Sequence, residues 1–194
     1  MPSVRSVMLA LSALILAGAV AAVLYEMKLR PVHERELLPT ALAHLELQPA
    51  PKSVPSVGFT EANGKRDTLA SFRGRYLLLN VWATWCAPCV RELPALATLK
   101  ERLPGLTVVA VNVGREDAAH TQEFLKEHGA ASLAVYLDSD IALLHAFNMQ
   151  GLPFSLIIDP NGREIARAVG PCEWGTPAAV SYLRSLMAPP HAAS

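Results

Sequence analysis

The chain predicts an α/β fold, a mixed central sheet flanked by helices, and three observations carry that expectation. Two short apolar runs, YLLLNVW at 76–82 and LTVVAVNV at 106–113, have the length and composition of strands buried on both faces. Segments with apolar residues at helical spacing alternate with the strands, as they do where crossover helices cover a sheet. A last pair of extended runs, 154–159 and 164–169, meets at Asn161-Gly162, a hairpin signal that adds antiparallel strands to the parallel ones.

The elements follow in order. Residues 7–25 carry no charged side chain. They exceed the ~7–15-residue apolar core of a signal peptide and approach the ~20 residues of a spanning helix. An N-terminal transmembrane helix within 1–26 is therefore expected, with cleavage at Ala17-Gly18-Ala19 or Ala19-Val20-Ala21 as the signal-peptide alternative. Arg5 precedes this segment and Lys28, Arg30 and Arg35 follow it, so basic residues alone do not place the C-terminus outside. Residues 27–55 hold five prolines and no sustained period, which reads as a tether with room for a short helix at 34–47. The folded domain is expected over 56–188, and 189–194 is a tail. Within the domain, 57–69 forms a strand around Phe59 and turns at Asn63-Gly64. After the 76–82 strand, Leu93, Leu96, Ala97 and Leu103 mark one face of a helix. A second helix at 117–128 closes at Gly129, 133–135 is a short extended piece, and 140–147 is helical. A final helix at 176–187 places Pro177 in its first turn, where proline is tolerated.

Composition excludes one class of partner. Acidic and basic residues balance to zero formal charge, and no basic run is present, so nucleic acid is not expected to bind. About 130 folded residues suffice to bury a core without staples.

The chemistry concentrates at Cys86-Ala87-Pro88-Cys89, where an apolar strand gives way to a helix. Unpaired N–H groups and the helix dipole at such a terminus favour an anion, here the Cys86 thiolate. Pro88 suits a first helical position because its missing N–H has no partner there. Cys89, one turn along, is placed to close a ring with Cys86. A structural disulfide would close too short a loop to stabilise much. Structural zinc wants four ligands, yet Cys172 is the one other cysteine and the six histidines are scattered; no metal site is expected. Thiol–disulfide exchange suits the pair best, with Cys86 attacking and Cys89 resolving.

The stretch Asn80-Val81-Trp82-Ala83-Thr84-Trp85-Cys86-Ala87-Pro88-Cys89-Val90-Arg91-Glu92-Leu93-Pro94 resembles the active-site segment of membrane-anchored, TlpA-like thioredoxin-family proteins. The likeness runs from about residue 55 to about residue 187. It implies a thioredoxin-like fold with an extra central helix and strand, and a thiol:disulfide oxidoreductase whose cofactor is none but its own Cys86–Cys89 disulfide. Pro94 matches the proline that kinks the family's active-site helix. Pro153 matches a cis proline that packs against the dithiol, and Leu152 before it offers backbone groups to an extended substrate. Glu92 stands where these proteins carry a glutamate near the dithiol, a proton-transfer group; a charged helix residue is otherwise a solvated one. Asn80 stands where ordinary thioredoxin has a buried acid. Trp85 reads as a wall of the substrate surface and Trp82 as core. Cys172, in Gly170-Pro171-Cys172-Glu173-Trp174, reads as a small buried hydrophobe or as a third thiol near the groove.

By the same resemblance the catalytic domain lies in the periplasm of a bacterial inner membrane, held to the bilayer through 7–25. It would reduce disulfides in other proteins, such as apocytochromes or copper-site assembly factors, and a membrane thiol transporter would recharge it. The alternative is a copper metallochaperone on the same scaffold, with Cys86, Cys89 and a histidine such as His145 as ligands.

Overall fold

The computed structural model describes residues 16, 18–20 and 38–188. The span expected at 7–25 lies outside the described residues but for four of them, as do residues 27–37 of the tether and the tail from 189. Among the described residues, no helix is long and apolar enough to cross a membrane.

After a 3₁₀ turn at Thr40–Leu42 come β1 (Leu45–Ser53), β2 (Gly58–Glu61) and β3 (Arg66–Thr68), then a second 3₁₀ turn at Leu69–Phe72. The central motif is β4 (Tyr76–Trp82), α1 (Ala87–Arg102), β5 (Leu106–Asn112) and α2 (Ala118–Glu127). Then follow β6 (Tyr136–Leu137), α3 (Ala142–Ala146), β7 (Phe154–Ile158), β8 (Arg163–Val169) and α4 (Pro177–Leu186). The strands form one sheet in the order β1-β8-β7-β4-β5-β6-β2-β3. It is mixed: β4–β5 and β5–β6 are parallel, and every other pairing is antiparallel. Every residue of β7, and all of β4 after Tyr76, is buried, the mark of strands covered on both faces.

Local chemistry explains the boundaries. Asp117 caps α2 by accepting from the His120 N–H at 2.8 Å, and Gly129 beyond the helix adopts φ +69°. Thr176 caps α4 from its hydroxyl, with Pro177 next. Asp138, 5% exposed, accepts from Ala142 N and Leu143 N and so starts α3, two residues later than expected. The expected extended piece at 133–135 supplies buried Leu133 and Val135, while the pairing falls on the next two residues.

One boundary is corrected. Residues 45–53, assigned to the tether, are β1, paired antiparallel with β8, and the compact unit begins at Pro39 rather than 56. The helix expected at 34–47 is, over its described part, the 3₁₀ turn and the start of β1. Pro49 and Pro51 argue against a strand only in a sheet interior; β1 lies at the edge, and its pairing lapses between Leu47 and Lys52, where both prolines sit.

Register then gathers four loops. Trp82 ends β4 opposite Asn112 at the end of parallel β5, and Val81 faces Phe154 at the start of antiparallel β7. Phe154 in turn faces Val169 at the end of β8. The segments 83–86, 113–117, 151–153 and 170–175 therefore leave the sheet at one edge.

Candidate active site

Strand β4 delivers the chain to this edge, and α1 begins at once. Cys86 is the N-cap of α1, with extended backbone, and its Sγ accepts from the Cys89 N–H at 3.3 Å. Ala87 and Pro88 fill the first two helical positions, as proline's missing donor allows. Cys86 and Cys89 are joined by a disulfide. Cys86 is 5% exposed and Cys89 1%, so Cys86 is the more accessible residue of the pair. Trp85, at 71% exposure, stands beside the pair on the surface, whereas Trp82 is fully buried against Phe124. Pro94 lies inside α1, as the resemblance implied, on an exposed position.

The Leu152–Pro153 peptide is cis, and Pro153 is buried. Its carbonyl accepts from the Gly170 N–H at 2.9 Å, which ties the residue preceding β7 to the loop following β8.

Glu92 departs most from what its residue type suggests. It lies one helical turn beyond Cys89 and is 4% exposed, not solvated. Three donors from two other segments, β4 and the loop after β8, meet its carboxylate. Asn80 Nδ2 on β4 donates to Oε2 at 3.2 Å, Cys172 N donates to Oε1 at 2.9 Å, and the Trp174 indole Nε1 donates to the same Oε1. Asn80 also donates to Ser155 Oγ at 3.0 Å. Burial pushes the Glu92 carboxyl up to about 7, and the three hydrogen bonds restrain the rise by favouring the charged form. The acid of this site is thus carried by α1, with the β4 asparagine as its donor. Such a group takes up and gives back a proton near neutral pH.

Cys172 is a free, buried cysteine whose backbone, not its sulfur, serves the site. Burial and the nearby Glu92 charge push its thiol up to about 12, so the sulfur stays protonated at neutral pH. An open groove of about 390 Å³ runs between α1 and this loop, with Arg91, Glu92, Pro94, Cys172 and Glu173 on its walls. His145 lies on α3, and among the described residues no three His, Cys, Asp or Glu side chains converge to hold a metal ion.

Trp174 and Ser155 belong to this cluster without having been singled out by sequence. Trp174 stands in the quoted Gly170–Trp174 motif, and a tryptophan whose N–H needs a partner in the core is the one signal available.

Known proteins are similar to this chain in sequence and fold. Residues 49–183 match the family model described as Redoxin. The thiol-disulfide oxidoreductase ResA of Bacillus subtilis (strain 168) is 35% identical over 118 residues, covering 60% of this chain and 65% of that protein, so the match spans a little under two thirds of its length. ResA of Bacillus anthracis is 28% identical over 159 residues, covering 81% of this chain and 83% of its own. A crystallised thiol:disulfide interchange protein of the thioredoxin family from Chlorobium tepidum superposes with TM-score 0.55 at 26% identity, covering 70% of this chain and 97% of that one. With the thioredoxin-like sheet, the disulfide at the head of α1 and a family match over most of its length, this chain belongs to the Redoxin family.

Proposed function

We propose that the protein is a thiol:disulfide oxidoreductase that reduces disulfides in proteins outside the cytoplasm, tethered to a bacterial inner membrane through residues 7–25 with its folded domain in the periplasm. The observation that carries this reading is the Cys86–Cys89 disulfide at the N-terminus of α1, with buried Glu92 one turn beyond it. The name thiol-disulfide oxidoreductase borne by its relatives supports it.

The reaction begins from the dithiol. The Cys86 thiolate, favoured by the amides of the first turn, attacks one sulfur of a substrate disulfide. A mixed disulfide forms, and the other substrate sulfur leaves as a thiolate. Glu92 in its carboxylate form takes the Cys89 proton, and the Cys89 thiolate attacks Cys86 Sγ. The second substrate sulfur departs, and the Cys86–Cys89 disulfide remains. Two electrons have passed to the substrate, and a membrane thiol transporter returns two to the enzyme. Leu152 offers its backbone groups to an extended substrate segment, cis Pro153 packs beside the dithiol, and exposed Trp85 forms a wall beside that segment. Apocytochromes and copper-site assembly factors are the substrate class we favour.

The test is the equilibrium reduction potential of Cys86/Cys89 against glutathione, followed by alkylation. A strongly reducing value supports a reductase. A value among the strong oxidants reverses the direction of electron flow, and a pair that never interconverts removes the reading altogether.

A further inference from the structure

The segment 83–86 that presents Trp85 and Cys86 is held from outside its own strand and helix. Thr84 Oγ1 donates to Glu116 Oε1, and the other oxygen of that carboxylate accepts from Asn112 Nδ2 at 3.1 Å. Asn112, fully buried at the end of β5, is fixed in turn: Nδ2 also donates to Thr121 Oγ1 at 3.2 Å, and Oδ1 accepts from Gly114 N at 2.8 Å. The backbone at 114 is shaped around the same carboxylate. A Cβ there would collide with Glu116 Oε2 and stand 2.9 Å from Asn112 Oδ1.

Helix capping does not account for Glu116. Asp117 already caps α2 through the His120 N–H, and the Glu116 carboxylate turns back across the β5 end to the β4 loop. The two ends of the loop are fixed by fully buried Ala83 and by Cys86, disulfide-bonded at the head of α1, with a Cys86 N to Ala83 O turn bond at 3.1 Å between them. Trp85, at 71% exposure, adds little burial, so the Thr84 hydroxyl is the side-chain tie of the middle of the loop. Burial opposes the Glu116 charge, yet the Thr84 and Asn112 donors hold its carboxyl below the usual range, so the tie to Thr84 is charge-assisted at neutral pH.

We infer that Glu116 is a positioning residue which, through the Thr84 hydroxyl, sets the direction from which Trp85 and Cys86 meet a protein substrate. The inference rests on the reading of Cys86 as the attacking sulfur. Because the tie runs from Thr84 to Glu116 in the segment after β5 and touches neither sulfur, substrate engagement is where it is felt.

Two variants of the full chain test it, with insulin as the disulfide substrate and the unfolding midpoint measured alongside. Thr84→Val keeps the shape and removes the hydroxyl; the midpoint should fall by no more than one hydrogen bond is worth, and kcat/KM for insulin, measured where both proteins are fully folded, should fall ~10-fold. Thr84→Ser keeps the hydroxyl and should restore the rate. A Val variant as fast as wild type, a Ser variant as slow as Val, or a rate loss that tracks a lowered midpoint overturns the inference while the dithiol reading stands. A wild type inactive on insulin overturns both.

Discussion

The indole N–H of Trp174 donates to Oε1 of Glu92, 82 residues earlier in the chain, and the Cys172 N–H donates to the same oxygen. Two donors from one loop thus close a carboxylate that burial would otherwise force neutral. The proton affinity of Glu92 is therefore set jointly by its place on α1 and by the segment after β8. That segment meets the cis-proline turn through the Gly170 N to Pro153 O bond, so the acid, the disulfide's helix and the expected substrate-binding turn are one connected unit.

Trp174→Phe removes one donor while keeping an aromatic ring. A hydrogen bond to a charged group is worth about 1.5–3 kcal/mol, so the Glu92 carboxyl should rise ~1–2 pH units above its present value of about 7. The check is the pH dependence of Cys86 alkylation in the reduced protein, whose Glu92-linked step should move upward. A step that stays in place means the indole does not hold the carboxylate.

Glu92 also predicts a stability profile. Its folded value of about 7 exceeds the ordinary 4.5, so between those limits the native state binds more protons than the unfolded chain. The group's favourable contribution is full below about pH 4.5 and is lost as pH rises through about 7. Glu92→Gln removes the titration. Wild type should lose up to ~3 kcal/mol relative to the variant between those pH values, measured by urea unfolding. Parallel curves would show that the carboxyl titrates normally.

Cys172 predicts selective labelling. With 5% exposure and a thiol pushed up to about 12, it should remain unmodified by iodoacetamide at pH 7 in the native reduced protein, while Cys86 reacts first. Peptide mapping by mass spectrometry checks the order. Early modification of Cys172 would revive it as a working third thiol.

Much of this was legible where the signal is local. The run at 76–82 is β4 to the residue, Cys86 caps α1, and the Asn63-Gly64 and Asn161-Gly162 turns join strands as read. Contacts across the chain were not legible. Nothing near Glu92 in sequence announces a tryptophan 82 residues away, and a glutamate on a helix defaults to solvent. The Thr84–Glu116 tie spans 32 residues and depends on parallel register between β4 and β5. Strand β1 was hidden by its prolines, which forbid a central strand but not an edge one.

That edge strand yields the last prediction. Leu42 and Leu45, at 0% and 2% exposure, lie in the core, and Gln48 Nε2 donates to buried Glu164 at 2.7 Å. Burying one leucine contributes about 1.5–3 kcal/mol, so a polypeptide of residues 56–188 should be less stable than one of 39–188 by at least ~3 kcal/mol, read from urea unfolding. The deletion reaches the site as well. Ala41 O accepts from Glu173 N at 2.8 Å, and the His44 ring packs against Gly170, so residues 39–55 brace the loop that supplies the Cys172 and Trp174 donors. Removing them should therefore also shift the Glu92-linked step in Cys86 alkylation. Equal stability with an unmoved step would return 39–55 to the role of a tether.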